Sequence, residues 1–419
     1  MSPAERARRR RVVVTGMGVV SPLGSEVTTY WKNVTSGAVA TGPVTRFPTD
    51  GYPVGLAAEV DAAELDDAGD PDAPRTPRSL RYVNHSVDRA LAQSRLMEHA
   101  DPRRVGVVVG TVMGTRPHLE ELRRRGRPLD SDPVWDTPGI LAAGPARRRG
   151  LRGPRQVVGA GCAAGNTALA LAADHIRWGQ ADAMVAGGTD ELSEAVFQLF
   201  TTLRALAPDV VRPFDRDRGG MLPSEGAAVL VLESLEHARS RGATVLAELC
   251  GYAVAADAHH MTAPHPRGLG MVRCMRDGLA MAGLDPAEVD YVSAHGTGTQ
   301  ANDALEAAAL AGFFGPGGGR PAVSSIKGML GHAQGGASAL EAVACVQALT
   351  EGLVPGNPTL REPDDGCAEL DLVRGPARGA PVRVALSNAF GFGGNVATVV
   401  LRRYAEDAPH RPSAATTGS

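Results

Sequence analysis

Aromatic residues make up only 4% of the chain, and its formal net charge is -3. So slight a charge excess gives no electrostatic footprint for nucleic acid or any other polyanion. No apolar run reaches the length of a membrane span. Cysteine is scarce too: Cys162, Cys250, Cys274, Cys345 and Cys367 lie far apart, an odd number with no CxxC pair. That excludes a disulfide framework and a cysteine-based zinc site, and it fits a reducing cytoplasm. Residues 1–11 are basic, but no apolar signal core follows them, and residues 12–14 read as a strand. A soluble, cytoplasmic globular protein that binds neither nucleic acid nor membrane is expected.

What the chain does have is glycine and alternation. Its 51 glycines point to tight turns and close backbone approaches, and 419 residues suffice for two or three domain-sized units. Short β-branched runs (residues 11–15, 105–109, 183–186, 227–232, 245–249, 291–294 and 396–401) alternate with Ala/Leu-rich helical patterns (79–95, 166–177, 268–282, 303–313 and 337–350). That alternation predicts an α/β fold. Residues 41–78 read as loop or insertion and 117–154 as a surface excursion, while the tail after Tyr404 lacks apolar content and reads as disordered. Gly161-Cys162-Ala163-Ala164-Gly165 resembles Gly331-His332-Ala333-Gln334-Gly335, and each opens an Ala/Leu helix. Val108-Val109-Gly110-Thr111 likewise echoes Ala294-His295-Gly296-Thr297 at a strand end. These matches predict two similar halves meeting between residues 233 and 244, with a site where helix starts and strand ends converge.

The chemistry centres on Cys162. Small residues on either side allow a sharp turn and leave the sulfur uncrowded at a helix start, where unpaired N–H groups and the helix dipole favour thiolate. Taken alone, it reads equally as a small core cysteine. His295 follows the strand-like Tyr291-Val292-Ser293 and precedes Gly296-Thr297-Gly298-Thr299, which points its ring into open space. His332 ends Lys327-Gly328-Met329-Leu330-Gly331-His332, just ahead of a helix. Either histidine alone reads equally as a structural residue. Together, a thiolate and two imidazoles suit acyl transfer followed by carbon–carbon bond formation, with the imidazole N–H groups stabilising an enolate. A cysteine hydrolase would need only one His, as the base.

The ordered set Gly161-Cys162-Ala163, His295-Gly296-Thr297-Gly298-Thr299, Lys327…Gly331-His332 and Phe390-Gly391-Phe392-Gly393-Gly394 resembles the β-ketoacyl-acyl carrier protein synthases, from Val12 to about Arg403. Ancillary stretches share the likeness: residues 14–22, Ala186-Gly187-Gly188-Thr189-Asp190, Arg212-Pro213-Phe214-Asp215 and His260-Met261-Thr262. The resemblance implies a thiolase-type fold of two pseudo-repeated βαβαβ-like halves in a five-layered αβαβα body. Residues 1–10 would be a flexible basic lead, 11–240 the half carrying the nucleophile, 241–404 the half carrying both histidines, and 405–419 a disordered tail. It implies Cys162 as acyl acceptor, His295 and His332 as the pair that promotes malonyl decarboxylation, and Lys327 and Glu341 in support. Thr297 and Thr299 would touch phosphopantetheine, and the backbone N–H of Phe392, the gate residue, would join that of Cys162 in an oxyanion hole.

No cofactor of its own is implied, because phosphopantetheine arrives on the acyl carrier protein. That partner is expected as a separate chain; basic clusters at residues 123–127 and 147–152 offer it landing sites, though either one alone reads first as a solvated charged face. The resemblance also implies a homodimer, or a heterodimer with a chain-length subunit. Three departures from the family pattern stand out: Asn395-Val396 in place of Thr-Asn, Met221 and Ser224 in place of Phe and Gly, and Gly161 before the cysteine. The last leans towards ketosynthases of type II polyketide and polyene systems, with a housekeeping fatty-acid elongating synthase as the alternative. Two further alternatives are a non-elongating partner subunit, which would lack the nucleophile, and an acyl-transferring variant. A thiolase would bring a second cysteine near the C-terminus, where only Cys367 stands, outside any Gly-rich loop.

Overall fold

The structure is a computed structural model that describes residues 10–61, 65, 76–127, 137–315 and 317–405. Most of the expected basic lead and the expected disordered tail therefore lie outside the described residues. A valine-rich run builds the central strand β1 (Val12–Val20), buried along its whole length because helices cover both faces of the sheet. Its two inner glycines are packing devices. A Cβ on Gly16 would stand 2.3 Å from the Ala90 carbonyl, and one on Gly18 would stand 1.9 Å from that of Ser86. Helix α1 (Arg78–Ser94) can thus lie directly on the strand, through Ser86, Ala90 and Ser94 at one-turn spacing.

The other strands of the main sheet are β2 (Val105–Gly110), β3 (Arg155–Val158), β4 (Ala183–Asp190), β5 (Gly226–Ser234), β6 (Ala247–Ala256), β7 (Tyr291–Ser293), β8 (Ala322–Ser324), β9 (Asp371–Leu372), β10 (Val384–Gly391) and β11 (Asn395–Arg402). They form one 11-stranded sheet in the order β9-β8-β7-β10-β11-β6-β1-β5-β4-β2-β3. Read outward from its middle, the pattern repeats. β1 is antiparallel to β5, β5 is antiparallel to β4, and β4, β2 and β3 run parallel. On the other side β6 is antiparallel to β11, β11 is antiparallel to β10, and β10, β7 and β8 run parallel. The two half-sheets join only where Val12, Val13 and Val14 pair with Leu249, Glu248 and Ala247.

Between the half-sheets lie α2 (Ala164–Arg177) and α5 (Ala337–Glu351), each packed on strands from both. Their alanine content follows from that position, since a helix covered on both sides is apolar nearly all round and must be slim. They cross where a Cβ on Gly165 would meet Ser338 Oγ at 2.7 Å, and the Asn166 N–H donates to that hydroxyl at 3.1 Å. α1 covers the outer face of one half-sheet, and α3 (Leu269–Ala282) with α4 (Gln300–Phe313) covers that of the other. The layers thus run helix, sheet, helix, sheet, helix.

One reading of the sequence is corrected. The expected surface excursion at 117–154 contains the helices Arg116–Arg124 and Ile140–Arg149, and Leu141, Ala142 and Ala146 of the second are core residues packed with β2. Its clustered arginines hide the apolar spacing of that helix. Residues 128–136 of the stretch lie outside the described residues.

Candidate active site

Cys162 stands one residue ahead of α2's N-cap, Ala163, on a turn that needs the left-handed backbone of Gly161 (φ +55°). A Cβ on Gly161 would lie 3.2 Å from the Phe392 carbonyl, and one on Gly391 would lie 2.8 Å from the Cys162 nitrogen. The loop after β10 therefore closes directly over the cysteine. Phe392 is 37% exposed rather than a core aromatic, and its ring meets that of Phe200 at 5.7 Å between centroids. Gly393 donates its N–H to the Met261 carbonyl (2.7 Å), and the Asn395 amide donates to the Phe392 carbonyl (2.8 Å). The Asn395 departure thus supplies a bond inside this loop. Met221 is buried, and Ser224 donates its N–H to the His332 carbonyl at 3.0 Å.

His295 is buried at the end of β7, which corrects the expectation of a ring in open space: Phe390 packs against it at 5.6 Å between centroids. The ring of His332 crosses that of His295 at 81°, with centroids 5.5 Å apart. Lys327, 1% exposed, lies between the two halves of the site. It donates to the His295 carbonyl (2.7 Å), reaches His295 Nδ1 at 3.4 Å, and pairs with Glu341, itself 1% exposed. Neither residue is a surface group. An ammonium only donates, so His295 Nδ1 accepts and the ring's own proton sits on Nε2. His332 Nδ1 accepts the Gln334 N–H at 3.2 Å, which again leaves the proton on Nε2. Each ring offers one N–H donor.

Burial and the neighbouring Lys327 charge hold both imidazoles well below the usual histidine range. They are neutral near pH 7. Burial also pushes the Cys162 thiol up to about 12, with Lys327 pulling the other way. In the resting site, then, desolvation outweighs the helix start, and the expectation of a standing thiolate is reversed. Burial likewise raises Glu341 to about 7 against the pull of Lys327.

Thr297 and Thr299 share a hydroxyl–hydroxyl bond of 2.9 Å, and Thr299 Oγ1 caps α4 by accepting the Asn302 N–H. Three acids that support the site were not singled out from the sequence. Glu306 accepts the N–H groups of His295 and Gly296, both at 2.7 Å. Asp303 accepts those of Gly298 and Phe214. Asp190 accepts that of Gly335 at 2.7 Å. Asp303 and Glu306 lie one helical turn apart straight after the Thr299 cap, and that spacing is the signal that would have found them.

Residues 9–238 match the family described as beta-ketoacyl synthase, N-terminal domain, and residues 246–361 match the beta-ketoacyl synthase, C-terminal domain. The 3-oxoacyl-acyl-carrier-protein synthase 2 of Coxiella burnetii is 38% identical over 413 residues, covering 94% of this chain and 99% of that protein. Among solved structures, the ishigamide ketosynthase/chain length factor superposes with a TM-score of 0.87 at 39% identity, over 95% of this chain and 100% of that one. A ketosynthase bound to the hexaketide, in complex with its type II PKS acyl-carrier protein, gives a TM-score of 0.86 at 30% identity, over 94% and 100%. No helix among the described residues is long and apolar enough to cross a membrane.

Proposed function

The chain belongs to the β-ketoacyl synthase family of carbon–carbon bond-forming enzymes, and on that footing we propose a decarboxylative Claisen condensation on acyl carrier protein substrates. Cys162 Sγ attacks the thioester of an acyl chain carried on phosphopantetheine. The acyl group moves to sulfur, and the cysteine proton leaves on the departing pantetheine thiol. A malonyl thioester then enters past Thr297 and Thr299. Its carboxylate leaves as carbon dioxide, and the pair of electrons from that bond becomes a thioester enolate. The Nε2–H groups of His295 and His332 hold the enolate oxygen. The enolate carbon attacks the Cys162 thioester, whose oxyanion rests on the N–H groups of Cys162 and Phe392. Collapse expels the Cys162 thiolate, which takes a proton from solvent to restore the resting thiol, and releases a β-ketoacyl carrier protein.

The observation that carries this reading is the pair of crossed, neutral, N–H-donating rings, one held by the buried Lys327 and the other by the Gln334 N–H. A hydrolytic or simple acyl-transferring site has no use for the second donor. Lys327, paired with Glu341, acts by fixing the His295 ring, and the enzyme needs no resident cofactor. We assign the chain to polyketide or specialised fatty-acid synthesis, supported by the glycine before Cys162 and by the likeness to the ishigamide ketosynthase/chain length factor. Strand β3 ends the sheet with its outer ladder open among the described residues, which suits addition of a second subunit, a copy or a chain-length partner.

The test supplies a panel of acyl carrier proteins and malonyl carrier protein, and follows carbon dioxide and product mass. A two-carbon-longer β-ketoacyl carrier protein with one carbon dioxide per turn is expected. Acylation without carbon dioxide release would make the protein an acyl-transferring variant, and a preference restricted to ordinary saturated chains would make it a housekeeping synthase.

A pH result follows as well. Protonation would add a charge and a second donor to each ring, but their lowered pKa keeps the neutral form dominant well below the usual value of about 6.5. The two imidazoles are therefore expected to add no limb to malonyl decarboxylation from about pH 8 to about pH 6, and a limb at about 7 would belong to Glu341. An acidic limb at about 6.5 that persists in Glu341→Gln would contradict it.

A further inference from the structure

Asp190 ends β4 with its side chain fully buried, and every bond its carboxylate accepts comes from a loop rather than from its own strand. Oδ1 accepts Thr111 Oγ1 (2.7 Å) and the Met113 N–H (2.9 Å). Oδ2 accepts the N–H groups of Val112 (2.8 Å) and Gly335 (2.7 Å). The carboxylate thus ties the loop after β2, in one half of the molecule, to the turn that opens α5 in the other. That turn is wedged tightly. A Cβ on Gly335 would come within 2.7 Å of both Asp190 Oδ2 and Thr111 Cα, and one on Gly188 within 2.2 Å of the Gly335 carbonyl.

The residue between Gly335 and the turn's histidine side is Gln334, and it is strained. Its φ is +51°, a left-handed backbone that costs a residue with a side chain about 1–2 kcal/mol. Gln334 nevertheless supplies the N–H that His332 Nδ1 accepts, and its side-chain amide donates to the His332 carbonyl at 3.2 Å. Strain of this kind persists only where the surroundings impose it. Here the next residue is pinned by the Asp190–Gly335 bond.

We infer that Asp190 is a positioning residue for His332: by anchoring Gly335 it holds Gln334 in its strained conformation, and Gln334 in turn keeps the His332 proton on Nε2. The inference rests on the role proposed above for His332. Burial raises the Asp190 carboxyl to about 6 although four donors oppose the rise, so it is ionised at neutral pH. Asparagine could keep its carbonyl on Gly335 and Val112 and turn its amide to the Thr111 hydroxyl, losing only the bond from the Met113 N–H, whereas alanine orphans every donor.

The test compares Asp190→Ala, Asp190→Asn and Gly335→Ala, the last keeping the N–H but forcing it off the carboxylate, since its Cβ would meet Asp190 Oδ2 and Thr111 Cα at 2.7 Å. In Asp190→Ala and Gly335→Ala, malonyl decarboxylation is expected to fall about 10–100-fold, while acyl loading of Cys162 changes less than about threefold. Asp190→Asn is expected to recover most of the loss. Nitrogen-15 NMR of the imidazoles reads the same point without turnover: a single Nε2–H tautomer of His332 in the wild type, and a mixture in the two alanine variants. Equal loss of loading and decarboxylation, or an unchanged tautomer in both alanine variants, would overturn the inference. A wild-type protein that does not decarboxylate malonyl carrier protein would sink the functional reading instead, and the NMR comparison would still decide the role of Asp190.

Discussion

Replacing Cys162 by alanine is expected to abolish elongation, by at least about 10³-fold, because no second nucleophile stands ready. Cys250, Cys274, Cys345 and Cys367 are all buried, and burial raises each of their thiols. Only Cys162 is partly accessible. Intact-protein mass spectrometry should show an acyl mass gain in the wild type and none in Cys162→Ala. Malonyl decarboxylation should survive, since His295, His332 and Lys327 make no bond that depends on the sulfur. Thermal stability should change little, because only one sulfur atom is lost from a partly open position. An acyl gain that persists in the variant would remove Cys162 from the mechanism.

Lys327→Met is expected to have the second largest effect, on both activity and stability. It frees the His295 ring and its carbonyl, so malonyl decarboxylation should fall about 10²–10³-fold, the scale seen when an oxyanion donor is lost. It also leaves Glu341 buried without its partner. Breaking a buried pair by removing one member costs about 3–5 kcal/mol when the remaining charge stays ionised. The pH dependence follows from the sign of the Glu341 shift. Its folded pKa lies above its unfolded value, near 7 with Lys327 present and higher without it. Its neutral form therefore favours the fold below the unfolded value, and that advantage is lost as pH rises through the folded value. Melting curves should place the variant near the wild type in mild acid and well below it above about pH 8. Adding Glu341→Gln should flatten that dependence and leave decarboxylation low. If the double variant regains decarboxylation, Lys327 serves only to neutralise Glu341.

Cys162 and the two histidines could be singled out before any coordinates, because each sits at an element end flanked by glycine, a local feature of the chain. Lys327 and Glu341 became legible only through their place in an ordered motif, since sequence alone cannot distinguish a buried lysine from a surface one. The state of Cys162 was misread for a related reason. A helix start is local and visible, but the desolvation that opposes it comes from residues distant in the chain. Asp190 stayed hidden because an acid that accepts backbone N–H groups carries no mark separating it from one in water, and Glu306 shows only in its one-turn spacing from Asp303. The alternation of strands and helices was plain in the long runs. β8, β9 and β10 were missed, the first two being only three and two residues long and the third broken by Ser387 and Asn388.

The central helix layer also bears on how the protein is made. α2 lies between two half-sheets, and those from the second half that cover it, β6 and β11, come from later in the chain, with β11 near its end. At ribosomal speeds of about 5–20 residues per second, roughly 10–45 s pass between completion of α2 and emergence of β11. Through that interval the helix that begins beside Cys162 has one apolar side without its cover. The nascent first half is therefore a client for chaperones, and a chain terminated before β11 should collect in inclusion bodies rather than accumulate as a folded fragment.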